Sequence, residues 1–375
     1  MRWKAFFGGD LVVHQLPGQE LLSPDLSAFL KEHAVRAINF EAPLKGYGSP
    51  IRKAGPHLHQ HPESASLAES AGFNVINLAN NHIFDYGAEA LEATIQAFKN
   101  SICVGAGRNA AEAYALKQME MNGVKVGFLS YCEAEFGAIT LNHQQSAGYA
   151  WINHPSVDAS IMEAKKSVDV LLVQCHAGVE EMEIPLPEWR ERYRGLIRAG
   201  ADAVIASHPH VPQGWETFMG KPIFYSLGNF YFDAESNHPL WNKGLAVSLE
   251  FEDASLVNFN VLALERKGSQ LQFSNDAAFE QYLKHLNTIL EEPVYGAAMR
   301  TAALQLWDSY YRNYYNIALQ GINGTVSLTE SIKRSVKRLL FTKKAGMNHE
   351  LLLHNIRIES HRWLVEKALE EKLRQ

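Results

Sequence analysis

Short apolar runs that each end in a metal-ligating side chain constrain this sequence more than any other feature. The clearest run, at 203–205, leads into His208-Pro209-His210. Two histidines two residues apart at the end of a buried strand point into the same loop space. Four other apolar runs end in the same manner, with His176, Asn81-His82, Asp10 and Glu41.

The order of these runs predicts an α/β fold. Segments of helical length at 64–71, 88–99, 157–166 and 187–199 alternate with the strand runs, as in αβ units. Asn122-Gly123 adds a hairpin signal. We therefore expect two packed sheets covered by helices, a four-layer α/β/β/α sandwich. The carboxyl ends of parallel strands gather at one edge of such a sheet, where ligands bind.

The pattern changes at about residue 275, where strand signals vanish. Helices are predicted over 281–290, 295–319, 328–341 and 349–373. We predict one domain over 1–274 and an all-helical C-terminal module over 275–375, the size of a small domain. The helix at 328–341 is basic and amphipathic. It suits either an acidic polymer or lipid surface, or an ordinary solvated helix face.

Composition narrows the functional classes. The formal net charge of -6 argues against non-specific nucleic-acid binding. No apolar run reaches the roughly 18 residues of a transmembrane helix, and we expect no signal peptide in the first residues. Three cysteines in apolar runs fit reduced core thiols. We expect a cytoplasmic protein with no transmembrane segment and no nucleic-acid partner.

The strand-end donors suit a pair of divalent ions. Such a pair needs a bridging carboxylate, further oxygen ligands and imidazoles. The sequence supplies Asp10, Glu41, Asn81, His176, His208 and His210. Mixed oxygen and nitrogen ligands suit Mn, Fe or Zn. Two ions about 4 Å apart can clamp a phosphate ester and activate water. His82 is then a candidate proton donor to the leaving group, with Asp85 beside it in the sequence.

Each of these residues also has a simpler interpretation. A single histidine after a strand is usually a hydrogen-bonded structural residue. Asp10 and Glu41 can act as helix N-caps after their strands. His82 can hold its loop with Asp85 as partner, and Asp85 can cap the helix that follows.

Eight motifs in order over residues 3–235 resemble the bacterial capsule-synthesis CapA family, which is linked to poly-γ-glutamate production. This family lies within the calcineurin-like metallophosphoesterase superfamily. The matching segments are Gly9-Asp10, Asn39-Phe40-Glu41-Ala42-Pro43-Leu44, Leu78-Ala79-Asn80-Asn81-His82 with Asp85-Tyr86-Gly87, Gly105-Ala106-Gly107-Arg108-Asn109, His176-Ala177-Gly178-Val179-Glu180, Ala199-Gly200-Ala201-Asp202, His208-Pro209-His210-Val211 and Tyr225-Ser226-Leu227-Gly228-Asn229-Phe230.

The resemblance implies a metallophosphoesterase-like sandwich and a role for each matching residue. It implies that Asp10 and His210 bind one ion and that Glu41 bridges to a second. The second ion would be bound by Asn81, His176 and His208. His82 matches the catalytic histidine of the superfamily.

Three further residues lie in the family motifs. The resemblance implies that Arg108, Glu180 and Asn229 contact substrate or hold ligands. From the residues alone, Arg108 is equally well a surface arginine. Glu180 is also compatible with a solvated acidic loop, since Glu181 and Glu183 follow it.

Two functional hypotheses follow. The first is a metal-dependent phosphoesterase-like hydrolase associated with capsule or poly-γ-glutamate synthesis. The second is a non-catalytic accessory protein that binds an acidic polymer or a partner ligase of the polymer-synthesis machinery. The superfamily usually has a second ligand in an Asp-x-His motif, whereas Asp10 is followed by Leu11 and Val12. That difference favours the accessory role, whereas the Asn81-His82 and His208-Pro209-His210 motifs favour the hydrolase.

Overall fold

The computed structural model describes residues 1–121, 123–320 and 348–374. It divides into two compact units, one of Met1–Ile51 with His57–Glu291 and the other of Arg52–Pro56 with Glu292–Gln375. The boundary predicted between residues 274 and 275 remains a prediction. The basic helix predicted over 328–341 lies outside the described residues.

The first unit contains seventeen strands and seven helices among the described residues. The strands are β1 (Arg2–Val12), β2 (Val35–Phe40), β3 (Val75–Asn77), β4 (Ile102–Val104), β5 (Ala106–Gly107), β6 (Lys117–Met121), β7 (Val124–Cys132), β8 (Ala138–Ile139), β9 (Gly148–Ala150), β10 (Val170–His176), β11 (Ala203–Ser207), β12 (Trp215–Phe218), β13 (Lys221–Phe224), β14 (Asn229–Phe232), β15 (Lys243–Glu252), β16 (Ser255–Lys267) and β17 (Gln270–Phe273). The helices are α1 (Pro24–Lys31), α2 (Ser64–Ala71), α3 (Gly87–Ala97), α4 (Ala110–Ala113), α5 (Val157–Ser167), α6 (Pro187–Ala199) and α7 (Ala277–Ile289).

Two large sheets organise this unit. The first has the order β17-β16-β15-β1-β2-β3-β4, with β14 paired to the end of β1, and the second has the order β12-β13-β11-β10-β7-β6. Strands β5, β9 and β8 form a small third sheet. Strands β1 to β4 run parallel, as do β7, β10, β11 and β13. Each sheet therefore brings several strand carboxyl ends to one edge.

Packing on the two faces of β1 shows the layers. Phe6 and Phe7 are neighbours in a strand and so face opposite sides of the sheet. Phe7 packs in a core cluster with Val126 of β7 and Leu172 of β10, between the two large sheets. Phe6 packs with Leu26 of α1 on the outer face. Helices α5 and α6 contact β10 and β11 of the second sheet. This arrangement confirms the predicted four-layer α/β/β/α sandwich.

A glycine holds β1 close to the loop before β14. A Cβ on Gly9 would lie 1.9 Å from the carbonyl oxygen of Gly228, and the amide of Asp10 donates to that same oxygen at 3.0 Å. Because backbone cannot move aside cheaply, we expect Gly9→Ala to destabilise the protein by about 3 kcal/mol in urea denaturation.

A second glycine provides the matched control for this prediction. Gly195 lies within α6, and a Cβ there would meet only Arg192 Nη1 at 3.7 Å. Gly195→Ala should therefore stabilise the protein by about 0.5–1 kcal/mol. An unchanged urea midpoint for Gly9→Ala would contradict the close approach described above.

The second unit is helical in its described part. Its elements are α8 (Val294–Leu306), a π-helical turn (Trp307–Tyr311), α9 (Arg312–Gln320), α10 (His349–Arg357) and α11 (Glu359–Arg374). Met299 and Ala303 of α8 are buried, as are Leu364 and Ala368 of α11, and these two helices contact each other. Within the described residues, every helix is too short or too polar to cross a membrane.

Candidate metal centre

Strand register assembles the predicted donors at one edge. In the first sheet Asp10 pairs with Asn39, and Asn39 pairs with Asn77. In the second sheet His176 pairs with Ser207, directly before His208. The structure brings all six predicted metal ligands together at this edge, and each is buried: Asp10, Glu41, Asn81, His176, His208 and His210.

One group of donors forms around His176. Its Nε2 lies 3.0 Å from His208 Nδ1, 3.0 Å from Asn81 Oδ1 and 3.7 Å from Glu41 Oε1. Single ligand atoms of Glu41, His176 and His208 all lie within 4.8 Å of one another. Two imidazole nitrogens, an amide oxygen and a carboxylate oxygen therefore converge on one small volume, which is the donor mixture that Mn, Fe and Zn accept.

A second group shares Glu41 with the first. Ligand atoms of Asp10, Glu41 and His210 also lie within 4.8 Å of one another. His210 Nδ1 is 3.4 Å from Asp10 Oδ2, and His210 Nε2 is 3.8 Å from Glu41 Oε1. Glu41 thus occupies the position of a carboxylate common to two neighbouring sites.

The surroundings of the Glu41 carboxyl indicate whether the two donor groups suit metal ions. Its carboxylate is fully buried, and neither oxygen has a hydrogen-bond partner among the described residues. Burial raises the pKa of this carboxyl well above its ordinary value. A buried carboxylate without a partner costs a protein several kcal/mol, by order of magnitude. A cation between Glu41 and the imidazoles would remove that cost, so the donor set fits divalent ions.

The histidines divide into two electrostatic environments. Burial, together with the neighbouring His208 and His210, lowers the pKa of His176 well below its ordinary value. A neutral imidazole is the form that ligates a metal. Burial also opposes the charge of His210, but Glu41 and Asp10 outweigh it and raise the pKa of His210 to about 10.

The loop that carries two of the histidines is strained. His208 has a φ of 107° and His210 a φ of 59°. Residues other than glycine occupy this region at a cost of about 1–3 kcal/mol each, and such strain concentrates at functional sites. The amide of His208 also donates to Asp10 Oδ2 at 3.3 Å. The turn therefore orients both imidazoles toward the carboxylates of the site, at a cost in backbone energy.

Two hydrogen-bonded asparagines, Asn77 and Asn39, connect to both donor groups, and we call them the asparagine chain. The amide of Ala79 donates to Asn77 Oδ1 at 2.8 Å, and Asn77 Nδ2 donates to Asn39 Oδ1 at 2.9 Å. This orders Asn39, whose Nδ2 lies 2.7 Å from Asp10 Oδ1 and 3.1 Å from His176 Nδ1. One side-chain amide therefore contacts a ligand of each group.

His82 and Asp85 form a buried pair beside the centre. His82 Nδ1 lies 2.7 Å from Asp85 Oδ2. The same carboxylate oxygen accepts the amide of Leu58 at 2.8 Å. An ionised Asp85 fixes the proton of His82 on Nδ1 or stabilises the imidazolium, which leaves Nε2 for proton transfer.

The three other predicted residues differ in position. Asn229 Oδ1 lies 3.0 Å from His210 Nδ1, so Asn229 contacts a donor of the centre. Glu180 is exposed, and its charge contributes to the raised pKa values of Glu41 and His210. Arg108 is exposed and binds Glu112 at 2.6 Å, the geometry of a surface arginine. Substrate contact by these residues remains a prediction.

Two polar residues at this edge are not among the predicted site residues. Asn39 opens one of the family motifs, but the motif by itself gives it no role. Glu133 is fully buried directly after β7, its Oε1 is 3.8 Å from His208 Nε2, and it accepts the amide of Gly178 at 2.9 Å. A carboxylate directly after an apolar run was the available signal for Glu133.

The two packed sheets covered by helices, with donor side chains at their strand ends, define an α/β/β/α sandwich protein with a candidate metal site. The family model described as "Bacterial capsule synthesis protein PGA_cap" matches residues 4–234. The chain belongs to this family, which confirms the resemblance seen in its motifs.

Individual relatives agree with the family match. The chain is 34% identical over 227 residues to the capsule biosynthesis protein CapA of Bacillus anthracis, covering 58% of this chain and 54% of that protein. It is 34% identical over 201 residues to the PGA biosynthesis protein CapA of Bacillus subtilis, covering 52% of each. The chain thus spans about half the length of these curated relatives.

Solved structures show a more distant likeness. A hypothetical protein from Thermus thermophilus has a TM-score of 0.47 and 15% identity, covering 70% of this chain and 100% of that one. A phosphatase from Mycoplasma pneumoniae has a TM-score of 0.45 and 13% identity, covering 71% and 94%.

Proposed function

We propose that this protein is a divalent-metal-dependent phosphoesterase that acts in capsule or poly-γ-glutamate synthesis. The observation that carries the proposal is the buried carboxylate of Glu41, which lacks a hydrogen-bond partner among the described residues and is shared by two donor groups. Neighbouring donor groups with a common carboxylate are suited to two ions, and two-ion sites are typical of phosphoester hydrolysis. Mn, Fe and Zn fit the donors.

In such a reaction, different residues of the chain would bind the cations and transfer the proton. Divalent cations bound here would supply positive charge to the phosphoryl group and to the attacking water. Asp10 and His210 would hold one cation. Asn81, His176 and His208 would hold the other. His82 protonates the leaving oxygen from Nε2, while Asp85 holds Nδ1.

The substrate class is inferred from the relatives. They are named for capsule and PGA biosynthesis, and a Mycobacterium tuberculosis relative, 27% identical over 210 residues, is named as a polyglutamine synthesis accessory protein. We therefore assign to this chain a phosphate ester or acidic polymer as substrate and the polymer-synthesis machinery as partner.

The test combines metal analysis with turnover of an aryl phosphate. Purified protein loaded with Mn or Zn should retain about two ions per chain and hydrolyse the ester. His176→Ala should lose at least one ion and nearly all turnover, because its Nε2 joins three other donors. The matched control is His154→Ala, since His154 is also buried but bonds to Gln144 and Ser156 instead. Full metal retention by His176→Ala would refute the proposal.

A metal-dependent accessory role is the second candidate, favoured by one observation. His14, the nearest histidine after Asp10, is bonded to Asp233 Oδ1 at 2.6 Å. The group of Asp10, Glu41 and His210 therefore gains no imidazole from β1 or the residues just after it. One retained ion and no turnover would support this alternative.

A further inference from the structure

A continuous series of rings borders the metal centre. It starts at His210, whose ring centroid is 5.4 Å from that of Phe232 and 5.3 Å from that of Trp241. Phe232 and Trp241 are 5.0 Å apart, so the ligand and these two rings form one cluster. Such spacings are those of interacting aromatic pairs.

The series continues away from His210. Phe232 lies 6.0 Å from His14, and His14 lies 6.1 Å from His59. Tyr86 is 5.9 Å from His59 and 6.1 Å from His57. We call the six rings that follow His210 the aromatic wall: Phe232, Trp241, His14, His59, Tyr86 and His57.

The far end of the wall meets the candidate proton donor. Tyr86 follows Asp85 in the chain, and the amide of Leu58, between the two wall histidines, donates to Asp85 Oδ2 at 2.8 Å. That oxygen is the one bonded to His82. The wall therefore extends from a ligand of the metal centre to the pair that would protonate the leaving group.

We infer that the aromatic wall is a binding site for the leaving part of the substrate, and that this part carries a ring with an apolar face that stacks on the wall. The inference rests on the proposed phosphoesterase function. The ligand chemistry is a ring with one apolar face, which an aryl group and a pyranose share.

The rings of the wall are held in place before any ligand arrives. His14 Nδ1 is bonded to Asp233, and Trp241 Nε1 donates to the carbonyl of Ala234 at 2.8 Å. His57 Nε2 lies 2.7 Å from the carbonyl oxygen of Ile51. Rings fixed through one polar atom lose little further freedom when a ligand stacks on them, which favours binding.

Exposure separates the wall from ordinary core packing. Five of its six rings are partly exposed, and only Phe232 is buried. Two of the partly exposed rings, His57 and His59, alternate along an extended segment and so share one face. The neighbouring Gln60 anchors this segment, since its fully buried side chain accepts the amide of Val13 and donates to the carbonyls of Leu11 and Glu41.

Charge favours a neutral ring as ligand. Burial, with Lys45 and His14 nearby, lowers the pKa of His59, which disfavours the charged form of this ring. The Asp233 carboxylate is engaged by His14 and by the amides of His14 and Gln15. A ring ligand therefore does not need a positive charge to neutralise Asp233.

Three phosphonates test the inference by calorimetry on the Mn-loaded full chain: methylphosphonate, phenylphosphonate and a C-glucosyl methylphosphonate, in which a CH2 group joins the sugar to phosphorus. Because the P–C bond of each probe is not hydrolysed, affinity does not depend on leaving-group chemistry. At least one ring-bearing probe should bind about tenfold more tightly than methylphosphonate. Preference for phenyl identifies an aryl ligand, and preference for glucosyl identifies a sugar.

Variants of the wall locate this preference. Tyr86→Ala and Trp241→Ala should each reduce the ratio of affinities to below about threefold, whereas Tyr86→Phe, which keeps the ring, should preserve it. Equal affinities for all three probes, or a ratio that both alanine variants leave unchanged, would overturn the inference alone. No binding of any probe would overturn it together with the proposed phosphoesterase function.

Discussion

Glu41→Gln is expected to abolish turnover and to remove tight metal binding, with metal content falling below one ion per chain. The side chain keeps its shape, but a neutral amide cannot serve as the carboxylate common to both donor groups. Loss of one charged ligand shared by two sites should lower activity by at least about 10³-fold. Metal analysis and aryl-phosphate turnover measure the two effects.

The same variant should affect stability far more with metal than without it. In metal-free protein, Glu41→Gln removes the desolvation cost of a buried carboxyl, but it also removes the attraction of that carboxyl to His210. The two effects oppose each other, so we expect the free energy of unfolding to change by less than about 1 kcal/mol. In the presence of Mn the wild type should be the more stable, because bound metal adds its binding free energy. A variant that loses as much stability in excess chelator as in Mn would contradict this account.

His82→Ala should lower kcat by about 10²–10⁴-fold and leave metal content unchanged. The reason is that His82 is bonded to Asp85 and is absent from both donor groups. Turnover of esters with progressively poorer leaving groups measures the effect. The loss should be greatest for the poorest leaving group, since that oxygen most needs a proton.

Asp85→Asn tests how the Asp85 carboxylate contributes to proton donation by His82. An amide cannot hold His82 in the same proton arrangement, so we expect an intermediate loss of activity with metal retained. His154→Ala again serves as the control for loss of a buried imidazole. If His82→Ala retained wild-type turnover on a poor leaving group, general-acid catalysis by His82 would be excluded.

The parts of the fold and site that could be predicted are those that depend on short stretches of sequence. Apolar runs of strand length followed by donors placed His176 and His208 at strand ends, and parallel register does bring those ends together. The four-layer order followed from the same alternation. Local patterns suffice here because the strand ends of a parallel sheet meet whatever the loops between them do.

Other features depend on long-range geometry and could not be predicted. The left-handed backbone at His208 and His210 is imposed by the surrounding contacts, since no glycine marks it. The contact between Asn39 and both donor groups needs two strands in register. For Arg108 the motif predicted a functional role, but the motif does not show that Glu112 binds the Arg108 guanidinium.

The asparagine chain has a consequence for how ions enter the site. Asn39 contacts Asp10 of one donor group and His176 of the other, and Glu41 belongs to both. An ion that settles in either group therefore orders a residue that the other group needs. Occupancy should rise cooperatively with free-ion concentration, so that chains with both ions or none outnumber half-filled ones.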